Sequence, residues 1–167
     1  LLIGAPAGAQ GKYPTKPIEI IVPYVAGALK RHLEDFPSDG DGLSRSERQI
    51  LTVVGQGHRT AIDAFRASAR LEERVFMGDL TFFGILERLT ASRAPLLAHD
   101  GEWPKDAPPT GAFDVTDAGR RVLSGSADYV TLNGIDRWMG GVHLVDGRYR
   151  WTGSTLVVQP ETGERQP

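Results

Sequence analysis

The sequence contains no cysteine among its 167 residues. Within this chain, that absence excludes disulfide bonds, catalysis by a thiolate and zinc sites with cysteine ligands. The chain also has no apolar run near the roughly 20 residues that a membrane-spanning helix needs. Basic residues are not in excess, since 19 Lys and Arg stand against 21 Asp and Glu. The formal net charge of −2 gives no overall attraction to nucleic acid or to an anionic membrane.

Sequence motifs of enzyme chemistry are also missing. The sequence has no His-Glu-x-x-His helix, no phosphate-binding Gly-Lys-Ser/Thr loop and no Gly-x-Ser-x-Gly elbow. His99 and Asp100 are adjacent, but neighbouring side chains of a strand point to opposite faces. We therefore predict a non-enzymatic protein with no catalytic residue, no cofactor and no metal site.

Residues 43–125 carry the clearest structural pattern in the chain. Ser44 and Glu47 form a capping box, which satisfies backbone N–H groups at the start of a helix. Thr60 repeats this signal, and a third helix is predicted to begin at Asp79. The apolar residues on one face of the third helix are Phe82, Ile85, Leu86 and Leu89. We therefore expect the third helix to lie at the centre of the core.

Two short strands are predicted after the third helix. The first covers residues 95–99 and the second residues 113–115, and the loop between them is rich in glycine and proline. Thr116 then caps a closing helix, in which Asp117 is favoured by the helix dipole. The order helix, helix, helix, strand, loop, strand, helix is typical of a winged helix. We therefore predict an α+β fold with a winged-helix-like core at 43–125.

The region at 126–158 is predicted to be a C-terminal β-hairpin extension. Residues 142–145 and 148–151 flank an Asp-Gly dipeptide, which favours the type I′ turn of a two-residue hairpin. Residues 156–158 add a third strand, and residues 127–132 are predicted to be extended.

The N-terminal 27 residues differ in character from the rest. Residues 1–10 are apolar and rich in small residues, like the end of a secretory signal peptide. Residues 13–27, YPTKPIEIIVPYVAG, contain a β-rich stretch bounded by prolines. This stretch resembles the start of the periplasmic solute receptors of tripartite tricarboxylate transporters. The resemblance implies solute binding and, with a native leader, a periplasmic location.

From residue 28 onward the chain resembles a different family. A helix is predicted at 29–37, followed by a polar linker at 38–42. The matching motifs are LKRHLEDFP at 29–37, GLSRSERQIL at 42–51, FMGD at 76–79, DAGRRVL at 117–123 and NGIDRWMGGVHL at 133–144. Residues 28–158 thereby resemble the C-terminal half of a bacterial family, a domain of unknown function with a winged-helix-like pattern. The predicted segments are therefore 1–27, 28–42, 43–125, 126–158 and a disordered tail at 159–167.

A winged helix suggests DNA as a ligand, because its third helix enters the major groove while its wing contacts the backbone. The candidate DNA contacts are Thr81, Arg88 and Ser92 on the third helix, Arg93 after it and Lys105 in the wing. The charge balance argues against this interpretation. Residues 43–125 hold eleven Lys and Arg against eleven Asp and Glu, whereas DNA-binding proteins usually carry a basic surface.

Asp136, Arg137 and Trp138 form a second candidate site. An arginine beside a tryptophan can offer a stacking surface that binds anions or a partner. Alternatively, Trp138 fills the core while Asp136 and Arg137 form a structural ion pair. We predict a winged-helix interaction module, cytoplasmic and without a membrane partner, that binds a protein or a second copy of itself. The alternatives are a DNA-binding transcription regulator and a fragment of a solute receptor.

Overall fold

The computed structural model describes residues 25–74, 77–145 and 147–159. The predicted leader and the receptor-like stretch as far as residue 24 lie outside the described residues. The predicted tail from residue 160 also lies outside them. The described residues form a mixed fold of helices and small antiparallel hairpins, which agrees with the predicted α+β class. The elements are α1 (Val25–Leu33), α2 (Arg45–Gly55), α3 (Ala61–Ala69), α4 (Asp79–Ala91), β1 (Leu97–His99), β2 (Phe113–Val115), α5 (Asp117–Leu123), α6 (Tyr129–Asn133), β3 (Asp136–Met139), β4 (Val142–Val145), β5 (Tyr149–Trp151) and β6 (Leu156–Val158).

The predicted helix starts are confirmed by side-chain caps. The Ser44 hydroxyl accepts a hydrogen bond from the Glu47 backbone N–H at 3.2 Å. In return, the Ser44 backbone N–H donates to Glu47 Oε2 at 2.8 Å, which completes the capping box of α2. Thr60 caps α3 by accepting from the Asp63 backbone N–H, and Thr116 caps α5 by accepting from the Gly119 backbone N–H. These helices begin where the sequence predicts because each cap depends only on residues a few positions apart.

The main core lies between α2, α3, α4, α5 and the β1–β2 hairpin. The four apolar residues predicted on the third helix are all buried, and α4 adds Phe83 to them. β1 and β2 are antiparallel, with Leu97 opposite Val115 and His99 opposite Phe113. Leu97 and Phe113 are buried in the main core, so this hairpin packs against the helices.

A smaller second core corrects the prediction for the C-terminal region. There β4 pairs with β3, and β5 pairs with β6, so the predicted pairing of 142–145 with 148–151 is wrong. The Gly140 and Gly141 pair joins β3 to β4 with φ angles of 55° and 81°. Two consecutive positive φ angles are what a type I′ hairpin turn requires, so this pair forms the turn instead of ending a segment. Phe36, Leu144 and Trp151 are the buried residues of this core.

Two further segments differ from their predictions. Residues 127–132 are not extended, because Asp128 caps α6 by accepting from the Thr131 backbone N–H at 2.7 Å. The predicted polar linker at 38–42 is partly buried: Asp39 and Gly40 are exposed, whereas Asp41 is buried and pairs with Arg48. The Trp151 backbone N–H donates to the Pro37 carbonyl at 2.8 Å. The linker thus holds the two cores together.

Candidate functional site

The most unusual residue of the structure is Glu47, a carboxylate with 0% exposure. Its place in the first turn of α2 points Oε2 back at the Ser44 backbone N–H. Its second oxygen, Oε1, accepts from Arg88 Nη2 at 2.9 Å and from Arg137 Nη1 at 3.1 Å. A buried charge is tolerated only when it is paired and hydrogen-bonded, and both conditions are met here.

The two arginines reach Glu47 from different elements. Arg88 lies on α4 and leaves 42% of its side chain exposed, while Arg137 lies on β3 with 21% exposed. Arg137 Nη2 also donates to the Asp35 carbonyl at 3.0 Å. Its Nε is buried and has no hydrogen-bond partner among the described residues. Two guanidinium groups therefore share one carboxylate, which leaves a local surplus of one positive charge.

The ionisation of this cluster is fixed by its surroundings. Burial raises the pKa of Glu47, but the charges of Arg137 and Arg88 and the Ser44 N–H outweigh burial and hold the pKa below its ordinary value. Burial and the charge of Glu47 raise the pKa of Tyr129, whose hydroxyl lies beside Arg88. At neutral pH, Glu47 is therefore ionised and Tyr129 keeps its proton.

A concave pocket opens beside the cluster. It has a volume of about 460 Å³, within the range typical of small-molecule sites. The end of α4, the helix α6 and the start of β3 form its walls. Its lining includes Arg88, Ala91, Ser92, Tyr129, Asn133, Gly134, Ile135, Asp136 and Arg137.

The opposite face of β3 carries an exposed aromatic pair. Trp138 is 71% exposed and stacks on His143 of β4, with ring centroids 4.7 Å apart and planes 4° from parallel. His143 Nε2 lies 2.7 Å from Asp136 Oδ1. One face of the Trp138 ring is thus covered by His143, while most of the side chain faces water.

The residues predicted as a partner surface are therefore divided between two faces. Side chains alternate along a strand, so Arg137 points inward while Asp136 and Trp138 point outward. The alternative that Trp138 fills the core is wrong, because most of its surface is exposed. The predicted Asp136–Arg137 ion pair is also wrong, since Asp136 contacts His143 and Arg137 contacts Glu47.

The predicted DNA contacts differ in their hydrogen-bond partners in the structure. Arg88 contacts the buried Glu47, and Arg93 Nε donates to the Leu132 carbonyl at 2.9 Å. Ser92 lies just after the end of α4, and its hydroxyl donates to the Ala94 carbonyl at 3.3 Å. Thr81 on α4 and Lys105 in the β1–β2 loop are exposed. Arg88 is brought together with Arg137, a residue from the other candidate site.

Sequence reasoning missed Glu47 and Tyr129 as members of a site. The capping box identified Glu47, but a cap occupies only one carboxylate oxygen. The partners of the other oxygen are 41 and 90 residues away along the chain. Tyr129 lies in a segment that was predicted to be extended, so its position beside Arg88 could not be inferred.

Two other buried ion clusters support the fold around the site. Arg31 of α1 donates to Glu72 at 2.8 Å and to Asp35 at 2.9 Å. Arg150 of β5 is buried and donates to both carboxylate oxygens of Asp128, at 2.9 and 3.1 Å. Burial raises the pKa of Glu72 and of Asp128, but the arginine contacts prevail and both pKa values lie below their ordinary range.

The described residues hold neither a metal-ion cluster nor a membrane-spanning helix. Across residues 25–74, 77–145 and 147–159, no group of three or more metal-ligating side chains is close enough to hold an ion. Within the same ranges, no helix has both the length and the hydrophobicity needed to cross a membrane. Comparison of the chain with protein-family models, with curated proteins and with solved structures finds no match.

Proposed function

We propose that the chain is a non-enzymatic, winged-helix-like interaction module that binds a protein partner through Trp138. The order α2, α3, α4, β1, β2, α5 and the antiparallel β1–β2 pair support the winged-helix-like description. In such a fold α4 corresponds to the third helix and the loop at 100–112 to the wing.

The observation that carries the proposed function is the exposed, ordered ring of Trp138. Tryptophan is enriched at the energetic centres of protein interfaces, where a rigid ring loses little conformational entropy on binding. Stacking on His143 fixes this ring before a partner arrives. The neighbouring Asp136 gives the surface one acidic, exposed group at its edge.

DNA binding is the alternative function, and it rests on the order of elements and on the exposed Thr81 and Lys105. The structure offers it less support than the sequence did. Arg88 and Arg93, two of the three candidate cations, already donate to acceptors within the protein. Free cations on the third helix and wing supply much of the affinity of such modules for phosphates.

The test measures how strongly each variant of the chain captures its protein partner. It compares Trp138→Ala with the control Leu80→Ala. Leu80 is also an exposed apolar residue, at 81%, but it lies at the start of α4. Truncating an interface tryptophan typically costs about 2 kcal/mol or more, so Trp138→Ala should weaken capture by about 30-fold. Sedimentation of the purified chain over a concentration series reports whether the partner is a second copy. Equal capture by wild type and Trp138→Ala would contradict the proposal.

Fluorescence anisotropy with a labelled random-sequence duplex tests the DNA-binding alternative in parallel. Duplex binding that weakens steeply with salt and is lost in Lys105→Glu would favour the DNA alternative.

A further inference from the structure

We propose that the pocket between α4, α6 and β3 binds a small organic carboxylate, held by Arg88 and Arg137. This site adjoins the Trp138 surface without including it, because Arg137 lines the pocket and Trp138 does not. Asp136 lies at the border of the two, since it lines the pocket and contacts His143.

The charge of the cluster sets the charge of the ligand. Arg88 and Arg137 carry two positive charges, and the ionised Glu47 supplies one negative charge. The surplus corresponds to a single anion, and a carboxylate provides that charge. Asp136 does not remove the surplus, because its side chain is 83% exposed and water screens its charge.

Donors for the ligand remain at the wall of the pocket. Each guanidinium has five N–H donors, and Arg88 uses some of them for Glu47 and Tyr129 while 42% of its side chain stays exposed. Arg137 Nε is buried without a partner among the described residues. The protonated hydroxyl of Tyr129 adds another donor at the same wall. Guanidinium groups bind carboxylates well because their donors match the two oxygens in geometry.

The remaining walls define the body of the ligand. Ala91, Ile135 and the ring of Tyr129 supply apolar surface next to the arginines. Such a pocket favours an organic acid with a non-polar body over a small inorganic anion, which could not use that surface.

The experiment is a titration of the ¹⁵N-labelled chain with sodium benzoate, followed by NMR. Benzamide has the same shape without the charge, and sodium chloride controls for ionic strength. We expect saturable shifts at the Gly134 backbone amide and at the Arg137 Nε–H with benzoate only. Arg88→Gln should weaken binding about ten-fold or more. Arg120→Gln is the matched control, because Arg120 is exposed and pairs with Asp117 away from the pocket.

Three results would overturn the proposal. One is the absence of saturable shifts, and another is equal binding of benzamide and benzoate. The third is a folded Arg88→Gln chain that binds benzoate as wild type does. If Arg88→Gln does not fold, the wild-type titration decides alone. Shifts confined to the pocket would then support the proposal, whereas shifts spread over the exposed arginines would indicate non-specific binding and overturn it.

Discussion

At the scale of single residues, the structure depends on a carboxylate that solvent cannot reach. Glu47 joins the cap of α2 to α4 and β3 through its two oxygens. A neutral or smaller side chain at this position leaves two guanidinium groups beside the core without their counter-charge. Removing one member of a buried ion pair is costly for that reason.

Glu47→Gln should lower the free energy of unfolding by about 1–3 kcal/mol, because the charge-assisted hydrogen bonds to Arg88 and Arg137 are lost while both guanidinium groups keep contact with solvent. Urea denaturation followed by circular dichroism measures this change. Glu87→Gln is the control, since Glu87 is an exposed residue of α4, and its effect should be within about 0.5 kcal/mol of zero. Equal midpoints for the two variants would show that Glu47 has no special role in stability.

At the scale of elements, α5 packs so closely on the first hairpin that one of its positions admits no side chain. A Cβ atom at Gly119 would lie 2.3 Å from the Leu96 carbonyl oxygen and 2.8 Å from Val115 Cγ1. The nearest obstacle is backbone, which cannot move aside as a flexible side chain can. Replacement of this glycine therefore requires α5 and the backbone at Leu96 to move apart.

Gly119→Ala should destabilise the protein by about 1–3 kcal/mol through this clash. Gly84→Ala offers a control of opposite sign. Gly84 lies within α4 with open space around its Cα, so alanine there should stabilise the chain by about 0.5–1 kcal/mol. Thermal unfolding of both variants provides the comparison. An unchanged or higher midpoint for Gly119→Ala would contradict the clash, and a lower midpoint for Gly84→Ala would contradict the expected gain in helix propensity.

The elements also show how far the sequence could be interpreted. The starts of α2, α3 and α5 depend on hydrogen bonds over three residues, so Ser44, Thr60 and Thr116 predicted them correctly. Strand pairing is not local in this sense. The Gly140–Gly141 and Asp-Gly dipeptides both favour hairpin turns, and the sequence does not say which one β4 uses. Arg137 lies on β3, the strand that pairs with β4, so the contact of Arg88 and Arg137 with one carboxylate also depends on this pairing.

At the scale of the whole molecule, the two cores are joined by charged and polar contacts. Arg137 links β3 to α2, and Arg150 links β5 to the start of α6. A backbone hydrogen bond from the Trp151 N–H to the Pro37 carbonyl completes the junction. The two ion pairs depend on ionisation, whereas the apolar packing inside each core does not.

Stability should therefore depend on pH on the acid side. The pKa values of Glu47, Glu72 and Asp128 are lower in the folded chain than their ordinary values of about 4. Their contribution is complete above about pH 5 and is lost as the pH falls through the folded values. Each proton taken up changes stability by about 1.4 kcal/mol per pH unit. Urea midpoints measured from pH 7 to pH 3 would contradict this if they stayed constant.

The distance between Glu47 and its partners also matters while the chain is being made. Arg88 follows Glu47 by 41 residues and Arg137 follows by 90. At about 5–20 residues per second, the ribosome adds Arg137 roughly 5–20 seconds after Glu47. During that interval the carboxylate lacks Arg137, one of its two arginine partners. The nascent chain therefore completes its most buried charge only when β3 has been synthesised.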